Sequence, residues 1–349
     1  MKLFLTSDQK NDNTHRGIVS LILSVLLVLS LLSGCAQSPV DVTPDADDTS
    51  VTDITEATDV EDVEDDMPLG VPLMWRVTSP DGQTMYLFGS IHVADDEIYP
   101  LPDFIMNAFN ASDYLAVEVD LLAFENDELA QQALALSLMY SDGRTIVDEI
   151  GEELHERAKA VMAELDLDLE GMPLEILDLF KPSFWVTMLT AEAVERAGMS
   201  EEFGLDKFFL IEAAERGMEI LEIESVEAQI EMFVGFSAPL QIFLLEGALN
   251  VDEVAAYLRE LYSMWKQGDR QGIEALANSE SEEMDELAEE YWDALLTQRD
   301  LIMVEVARRY MAEGKNVFYV VGLLHMIGEN GIVEQLIQHG YIVELVRPN

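Results

Sequence analysis

Apolar residues form short continuous runs near both ends of the folded part of the chain. Residues 73–78 and 84–88 flank a Pro-Asp-Gly turn, which predicts a β-hairpin. Residues 114–119 and 316–321 are apolar almost throughout, and residues 341–346 form a similar run. Continuous apolar strands are typical of a sheet that is covered on both faces. The pattern therefore predicts buried strands at both ends of the domain.

Between these ends, apolar residues recur with the 3.6-residue spacing of a helix, and acidic residues occupy the opposite face. Gly and Pro separate the periodic segments. The predicted helices cover residues 102–110, 126–140, 150–165, 172–197, 205–216, 239–267, 270–312 and 331–338. A further strand is predicted at residues 218–223, directly after Gly217.

The two ends share one sequence pattern. Each has an apolar strand followed by Gly-x-x-His, then a polar loop, a short helix and another apolar strand. Gly89 and His92 carry the pattern in the first unit, and Gly322 and His325 carry it in the second. The sequence therefore predicts an α/β (α+β) fold, with a sheet built from two β-loop-α-β units and a large helical insertion between them. Side by side in one sheet, these units would bring both histidines to the same edge.

The N-terminus has the pattern of an export signal. Residues 1–17 carry Lys and Arg, residues 18–32 form an apolar run, and Ser-Gly precedes Cys35, the one cysteine of the chain. This resembles a bacterial lipoprotein signal, in which the cysteine is lipidated and becomes the first mature residue. An ordinary signal peptide or an uncleaved anchor helix is the alternative, although the run is short for a membrane span. The first interpretation predicts a signal peptide at residues 1–34 and a protein tethered by lipid to the cell membrane or outer membrane, outside the cytoplasm.

An acidic segment separates the predicted signal from the folded domain. Residues 35–71 are rich in Asp, Glu, Thr, Val and Pro and contain no Lys or Arg. Repulsion between like charges and the scarcity of apolar residues predict a disordered linker. The globular domain is therefore expected at residues 72–349.

The charge balance excludes one class of partner. The chain has 69 Asp and Glu against 19 Lys and Arg, for a formal net charge of −50 at pH 7. Such an excess of negative charge repels a phosphate backbone, so no nucleic-acid partner is expected.

The residues with candidate chemistry lie where the predicted strands end. Neutral imidazoles of His92 and His325 are suited to bind a metal or to act as bases. Glu118 lies within an apolar strand, where an unpaired carboxylate would cost several kcal/mol. A metal ligand or a base explains its position. The alternatives are histidines that bond loop carbonyls, and a glutamate that is exposed or held in a salt bridge.

Several motifs in a fixed order resemble the TraB/GumN family, which includes the TIKI proteases that act on Wnt. The resemblance covers about Leu73 to Val346. The motifs are Tyr86–His92, Ala116–Asp120, Gly204–Lys207, Glu224–Gln229, Arg299 before Asp300, and Val320–His325 followed by Gly328. The sequence departs from the family at Ser90, where threonine is more usual, and at Asp300, where asparagine is frequent.

The resemblance implies a divalent-metal hydrolase site. It assigns His92, His325 and Glu118 as metal ligands, with manganese or cobalt favoured and zinc as an alternative. Glu224 is then the candidate general base, and Arg299 would hold a substrate carboxylate or the developing oxyanion unless it simply pairs with an acid. Asp206 would orient a histidine or cap its helix.

Two functions follow from this resemblance taken together with the N-terminal signal. The first is a membrane-tethered, extracytoplasmic, metal-dependent hydrolase that acts as a peptidase. Its expected partners are a peptide or protein substrate and, through the lipid anchor, a lipid bilayer. The alternative is a non-catalytic lipoprotein that sequesters a peptide or signal, as in the TraB type of pheromone shutdown. The zincin motif His-Glu-x-x-His is absent from the sequence, and His155 and His339 are expected to be solvated or capping residues.

Overall fold

A six-stranded sheet forms the centre of the structure. The computed structural model describes residues 68–165, 167, 174–277 and 285–348. The strands are β1 Met74–Thr78, β2 Thr84–Ser90, β3 Tyr114–Val117, β4 Glu219–Glu222, β5 Val317–Gly322 and β6 Ile342–Leu345. Their order in the sheet is β4-β3-β5-β2-β1-β6. The predicted signal peptide, Cys35 and most of the acidic linker lie outside the described residues.

The predicted hairpin is confirmed. β1 pairs with β2 in antiparallel register, with Trp75 opposite Leu87, and also with β6, in which Leu345 lies opposite Trp75. The turn closes through hydrogen bonds between Ser79 and Gln83 and between Gly82 and Ser79. Gly82 has a φ of 86°, a left-handed conformation that favours glycine.

The two strands that precede the Gly-x-x-His histidines are neighbours. β2 pairs with β5 in parallel, with Ser90 opposite Gly322, and β3 lies parallel to β5 on its other side, with Val117 opposite Val320. Three consecutive parallel strands therefore end at the same edge of the sheet. This placement confirms the predicted α/β (α+β) fold and brings the residues that follow each strand into one region.

Helices cover the sheet and fill the region between the two ends. They are α1 Asp103–Asn110, α2 Leu121–Glu125, α3 Glu128–Ser137, α4 Ile146–Glu164, α5 Leu174–Leu177, α6 Pro182–Arg196, α7 Leu205–Arg216, α8 Val226–Gly235, α9 Ala238–Ala248, α10 Val251–Gln267, α11 Arg270–Ala277, α12 Asp285–Trp292, α13 Gln298–Ala312, α14 Leu323–Met326 and α15 Ile332–Gln338. Short 3₁₀ turns lie at Asp96–Ile98 and Glu201–Phe203, and a π-helical segment at Asp293–Thr297 leads into α13.

Several predicted helices are divided in the structure. The segment predicted at residues 172–197 contains α5 and then α6, which begins at Pro182, a residue favoured in the first helical turn. The segment predicted at residues 239–267 breaks at Asn250 into α9 and α10. α8 was not among the predicted helices, although Ser225 caps it by accepting a hydrogen bond from the amide of Ala228.

An aromatic cluster joins the sheet to the helices beside it. Phe88 of β2 and Phe318 of β5 lie with ring centroids 5.9 Å apart. Phe209 of α7 packs 4.9 Å from Phe318, and Phe109 of α1 packs 5.1 Å from Phe209. All four side chains are buried. The cluster anchors α1 and α7 against the strands that carry the candidate site.

His155 is not solvated, contrary to the prediction. It is buried in α4, its Nε2 lies 2.7 Å from Oδ1 of Asp178, and its ring packs against Trp185. The acidic residues of α4 suggest an exposed histidine. The partner Asp178 lies in a separate segment, so the sequence does not show the contact. His339 is exposed at the end of α15, as expected.

Among the described residues, no single helix is long and apolar enough to cross a membrane. The consecutive helices α8 and α9 reach that length and hydropathy together, but they are bent by 93°.

Candidate metal and catalytic site

His92, Glu118 and His325 meet at the edge where β2, β3 and β5 end. A methyl group on Gly322 would lie 3.5 Å from Oε1 of Glu118 and 3.6 Å from Nε2 of His92. It would also lie 3.7 Å from Cδ2 of His325. The three side chains therefore surround the space above the α-carbon of Gly322, and the absent side chain leaves that space open.

A carboxylate holds the ring of His92. Nδ1 of His92 lies 2.9 Å from Oδ2 of Asp206, and the other oxygen of Asp206 accepts a hydrogen bond from Ser90 at 2.9 Å. Burial disfavours the charged imidazole, but the charge and the hydrogen bond of Asp206 outweigh it and raise the pKa of His92 to about 9. Of the two roles predicted for Asp206, the structure shows the one that orients a histidine, since the N-cap of α7 is Gly204.

His325 has an equivalent partner. Its Nδ1 lies 2.6 Å from Oδ1 of Asp300 on α13, and both residues are buried. Burial raises the pKa of Asp300, against the opposing effect of the hydrogen bond from His325. Both histidines therefore use Nδ1 to bond a carboxylate, which leaves Nε2 as the nitrogen available to a ligand. Carboxylates in this position are characteristic of histidines that bind metals.

Glu118 is held in an ion pair. Its Oε2 lies 2.5 Å from Nη2 of Arg299, and its Oε1 accepts a hydrogen bond from the amide of Gly322 at 2.8 Å. Burial would raise the pKa of Glu118, but the positive charge of Arg299, followed by His325 and His92, lowers it to about 2. Glu118 is therefore an ionised carboxylate at the centre of the site.

Arg299 joins two glutamates. Besides Glu118, it bonds Glu224 through Nε at 3.0 Å and through Nη2 at 2.7 Å. Its Nη1 donates to the carbonyl of Leu295 at 3.1 Å. Gln229 donates to Glu224 from Nε2 at 3.1 Å. Because Arg299 and the two glutamates pair with one another, this arrangement favours a positioning role for Glu224 and Arg299 over a general base and a substrate clamp, which stay predictions.

Close approaches explain two glycines of the motifs. A methyl group on Gly89 would lie 2.4 Å from Cδ1 and 3.2 Å from the α-carbon of Leu323, which opens α14. A methyl group on Gly204 would lie 2.2 Å from the carbonyl oxygen of His92. These glycines let α14 and the N-terminus of α7 approach the histidine loop closely. Gly322 differs from them, because its missing side chain leaves space within the site.

The site carries an excess of negative charge. The carboxylates of Glu118, Glu224, Asp206 and Asp300 face one guanidinium, that of Arg299, so four negative charges and one positive charge leave an excess of three when both imidazoles are neutral. The raised pKa of His92 is one consequence of this excess. A divalent cation would be stabilised by the same field.

The donor chemistry fits a divalent metal, although the present geometry does not assemble a complete ligand set. Two imidazole Nε2 atoms and a carboxylate oxygen are the ligands of catalytic metal sites that keep positions open. Within the part of the chain that the structure describes, no group of three or more His, Cys, Asp or Glu side chains is arranged to hold a metal ion as it stands. The ion pair with Arg299 draws Oε2 of Glu118 away from that role.

A cavity with mainly apolar walls opens onto these residues. His92, Glu118, His325 and Arg299 line its polar end, together with Ser90 and Gly322. Its apolar walls come from α8, α10, α11, α14 and the π-helical segment before α13. Ligand sites commonly combine an apolar wall with a small number of converging polar groups.

Sequence reasoning did not assign Asp300, Gln229 or Ser90 a role in the site. Asp300 was noted only because it departs from the asparagine that is frequent in the family. The contacts of these residues join segments that are distant in sequence, such as the 116 residues between Ser90 and Asp206. The signal available in the sequence was the adjacent pair Arg299-Asp300 within a segment of helical periodicity.

Comparisons with known proteins find relatives that share most of the length of this chain. The chain is 24% identical over 262 residues to "Uncharacterized protein YbaP" of Escherichia coli (strain K12), which covers 74% of this chain and 90% of YbaP. It is 23% identical over 320 residues to "Metalloprotease TIKI2" of Danio rerio, covering 79% of this chain and 61% of that protein. It is 22% identical over 316 residues to "Metalloprotease TIKI homolog" of Nematostella vectensis, covering 75% of this chain and 65% of that protein.

No solved structure matches the chain. Residues 73–345 match the sequence profile of one family, a range that begins at the hairpin and ends in β6 and so includes both Gly-x-x-His units. The chain therefore belongs to the TraB/PrgY/gumN family.

Proposed function

We propose that this protein is a divalent-metal-dependent hydrolase, a peptidase that acts outside the cytoplasm while tethered to a membrane through lipidated Cys35. The observation that carries the proposal is the matched pair of Asp–His hydrogen bonds, which orient the two imidazoles around the space above Gly322. Similarity to the two TIKI metalloproteases supports the hydrolytic chemistry. Manganese or cobalt is the proposed metal, with zinc as the alternative.

His92, His325 and Glu118 would hold the metal. When bound, a divalent metal polarises a peptide carbonyl and makes water a stronger nucleophile at neutral pH. Asp206 and Asp300 keep the two imidazoles in the orientation that directs Nε2 outward, and they fix the tautomer of each ring. Arg299 keeps Glu118 ionised, because a buried carboxylate without a cation would take up a proton. Glu224 holds Arg299 in place through its own ion pair.

The proposed location rests on the sequence of the N-terminus. A lipid on Cys35 would attach the protein to the bilayer, and the acidic residues 36–66 would separate the domain from it. Phosphate headgroups and the linker carry the same sign of charge, so the linker would stay away from an anionic surface.

The experiment measures metal content and peptide cleavage on the full-length protein. Bound metal is removed from the protein with EDTA, and Mn²⁺, Co²⁺ or Zn²⁺ is then added. Metal content is measured after loading, and cleavage of a mixture of unstructured peptides is measured by mass spectrometry. His92→Ala and His325→Ala are expected to lose bound metal and all cleavage. His339→Ala is the matched control, because His339 is exposed and lies outside the site.

The outcomes separate the two functions. Unchanged metal content and cleavage in the His92 and His325 variants would refute the hydrolase. Peptide binding without cleavage under any of the three metals would instead support the sequestering lipoprotein.

A further inference from the structure

The cavity beside the histidines has a wall of buried hydrophobic side chains. They come from three helices, the π-helical segment and the start of α14, and they are Phe233, Leu261, Trp265, Ile273, Leu295 and Leu323. Within the cavity, the space open to the centre of a water molecule is about 80 Å³. Apolar surface that faces water in a cleft favours an apolar occupant, because its burial is stabilising at roughly 25 cal/mol per Å².

Secondary structure fixes this wall in place. The π-helical segment Asp293–Thr297 precedes α13, and it places Leu295 and Leu296 in the cavity while the carbonyl of Leu295 accepts a hydrogen bond from Arg299. Trp265 donates from its indole nitrogen to the carbonyl of Gly89 at 2.9 Å. The same residues that form the apolar wall therefore contact the elements that carry the polar end.

The rim of the cavity contains half-buried apolar residues. Met232 of α8, Leu296 of the π-helical segment and Leu324 of α14 line the cavity without being fully buried. A ligand that enters the cavity would pass these three side chains. They are therefore the positions at which a substitution changes the ligand preference with the least disturbance of the core.

We propose that this apolar cavity is a specificity pocket that receives one large hydrophobic side chain of a peptide, next to the bond held at His92 and His325. This inference deepens the proposed function and rests on it for the position of that bond. In a peptide, a side chain and its backbone carbonyl lie close together. The cavity has the same arrangement, because its apolar wall adjoins the polar end that contains His92 and His325. A fatty acid fits less well, since its carboxylate would meet the excess of negative charge around Glu118, Glu224 and Asp300.

Two peptides test the preference. They are identical and mainly Gly and Ser, except that one central residue is Leu in the first and Asn in the second. Asn is neutral and close to Leu in size, so repulsion by the net charge of −50 does not affect the comparison. Binding to the full-length protein stripped of metal with EDTA is measured by calorimetry, and cleavage is measured after Mn²⁺ or Co²⁺ is added. We expect the Leu peptide to bind, and to be cleaved, at least about tenfold better.

Substitutions at the rim test whether the cavity is responsible. Met232→Arg is expected to abolish the preference for Leu, because a guanidinium would be placed in the apolar pocket. Val234→Arg is the control, because Val234 is half-buried on the same helix but does not line the cavity. Leu296→Arg provides a second test, and circular dichroism verifies that each variant is folded.

The outcomes distinguish this proposal from the proposed function. A preference for Leu in binding that Met232→Arg removes supports the pocket, even if no metal produces cleavage and the hydrolase is refuted. Equal binding of the two peptides overturns the pocket, even if both are cleaved. Binding of oleate without any peptide preference would assign the cavity to an acyl chain and also overturn the proposal.

Discussion

Oδ1 of Asp300 lies 2.6 Å from Nδ1 of His325, and the other histidine of the site makes the same kind of contact with a carboxylate. Asp206 holds Nδ1 of His92 at 2.9 Å. The two carboxylates come from α7 and α13, helices that lie far apart in sequence. Each helix therefore supplies one carboxylate that sets the orientation of one imidazole.

Loss of either carboxylate should weaken metal binding. Asp206→Ala and Asp300→Ala are expected to lower the affinity for Mn²⁺ or Co²⁺ by roughly 10–100-fold, because the imidazole loses its orientation and basicity. Asp300→Asn should lose less, since its amide oxygen still accepts a hydrogen bond from Nδ1. Affinity is measured by competition with a chelating dye. Asp178→Ala is the control, because Asp178 holds His155 outside the site, and an equal loss in this variant would contradict the assignment.

The two motif glycines should respond differently to alanine. Gly89→Ala places a methyl group 2.4 Å from Leu323, so we expect a loss of roughly 1–3 kcal/mol in the free energy of unfolding. Gly322→Ala meets Glu118, His92 and His325 only at ordinary contact distances of 3.5 to 3.7 Å. Its stability should stay close to that of the wild type, whereas metal binding and cleavage should fall because the methyl group occupies the open space.

Urea unfolding and metal analysis of the same two preparations measure both effects. A Gly322→Ala protein that retains full metal affinity would show that the space above this residue is not the site.

The sheet could be predicted from the sequence because its strands are continuous apolar runs bounded by turn residues. The pairing of β2 with β5 also followed from the pattern, since two Gly-x-x-His units imply neighbouring parallel strands. The divisions within the long helical segments were harder, because only Leu249 and Asn250 separate α9 from α10, and neither is a glycine or a proline. Periodicity detects helical faces but does not detect a change in helix direction.

The members of the site could be predicted only in part. His92, His325 and Glu118 stood out because polar residues follow or interrupt apolar strands, and the structure brings them together. For Arg299, a salt bridge to an acid was the alternative to a substrate clamp, and spacing along the chain does not decide between them. Tertiary contacts show the ion pairs, because α13 turns Arg299 toward two carboxylates that are 75 and 181 residues away. The substrate clamp stays a prediction.

Removal of Arg299 should destabilise the metal-free protein strongly. Arg299→Met leaves Glu118 and Glu224 buried without their cation, and breaking a buried ion pair in this way costs roughly 3–5 kcal/mol. The double variant Arg299→Met with Glu118→Gln should recover part of this lost stability, because it removes one of the two buried charges. Arg76→Met is the control, because Arg76 pairs with Glu344 at the exposed surface at 2.7 Å, and such pairs contribute roughly 0–1 kcal/mol.

The loss in Arg299→Met should also depend on pH in a defined direction. In the wild type the pKa of Glu118 is lowered to about 2 from its ordinary value of 4.5, so its contribution to stability is complete above pH 4.5 and disappears as the pH falls toward 2. In the variant, burial without Arg299 raises the pKa of Glu118, so protonation at low pH relieves the penalty. The difference in unfolding free energy between the two proteins should therefore be largest at neutral pH and shrink with acidification. Urea unfolding in EDTA at a series of pH values measures it, and a difference that stays constant or grows toward acid would show that Arg299 does not stabilise the ionised carboxylate.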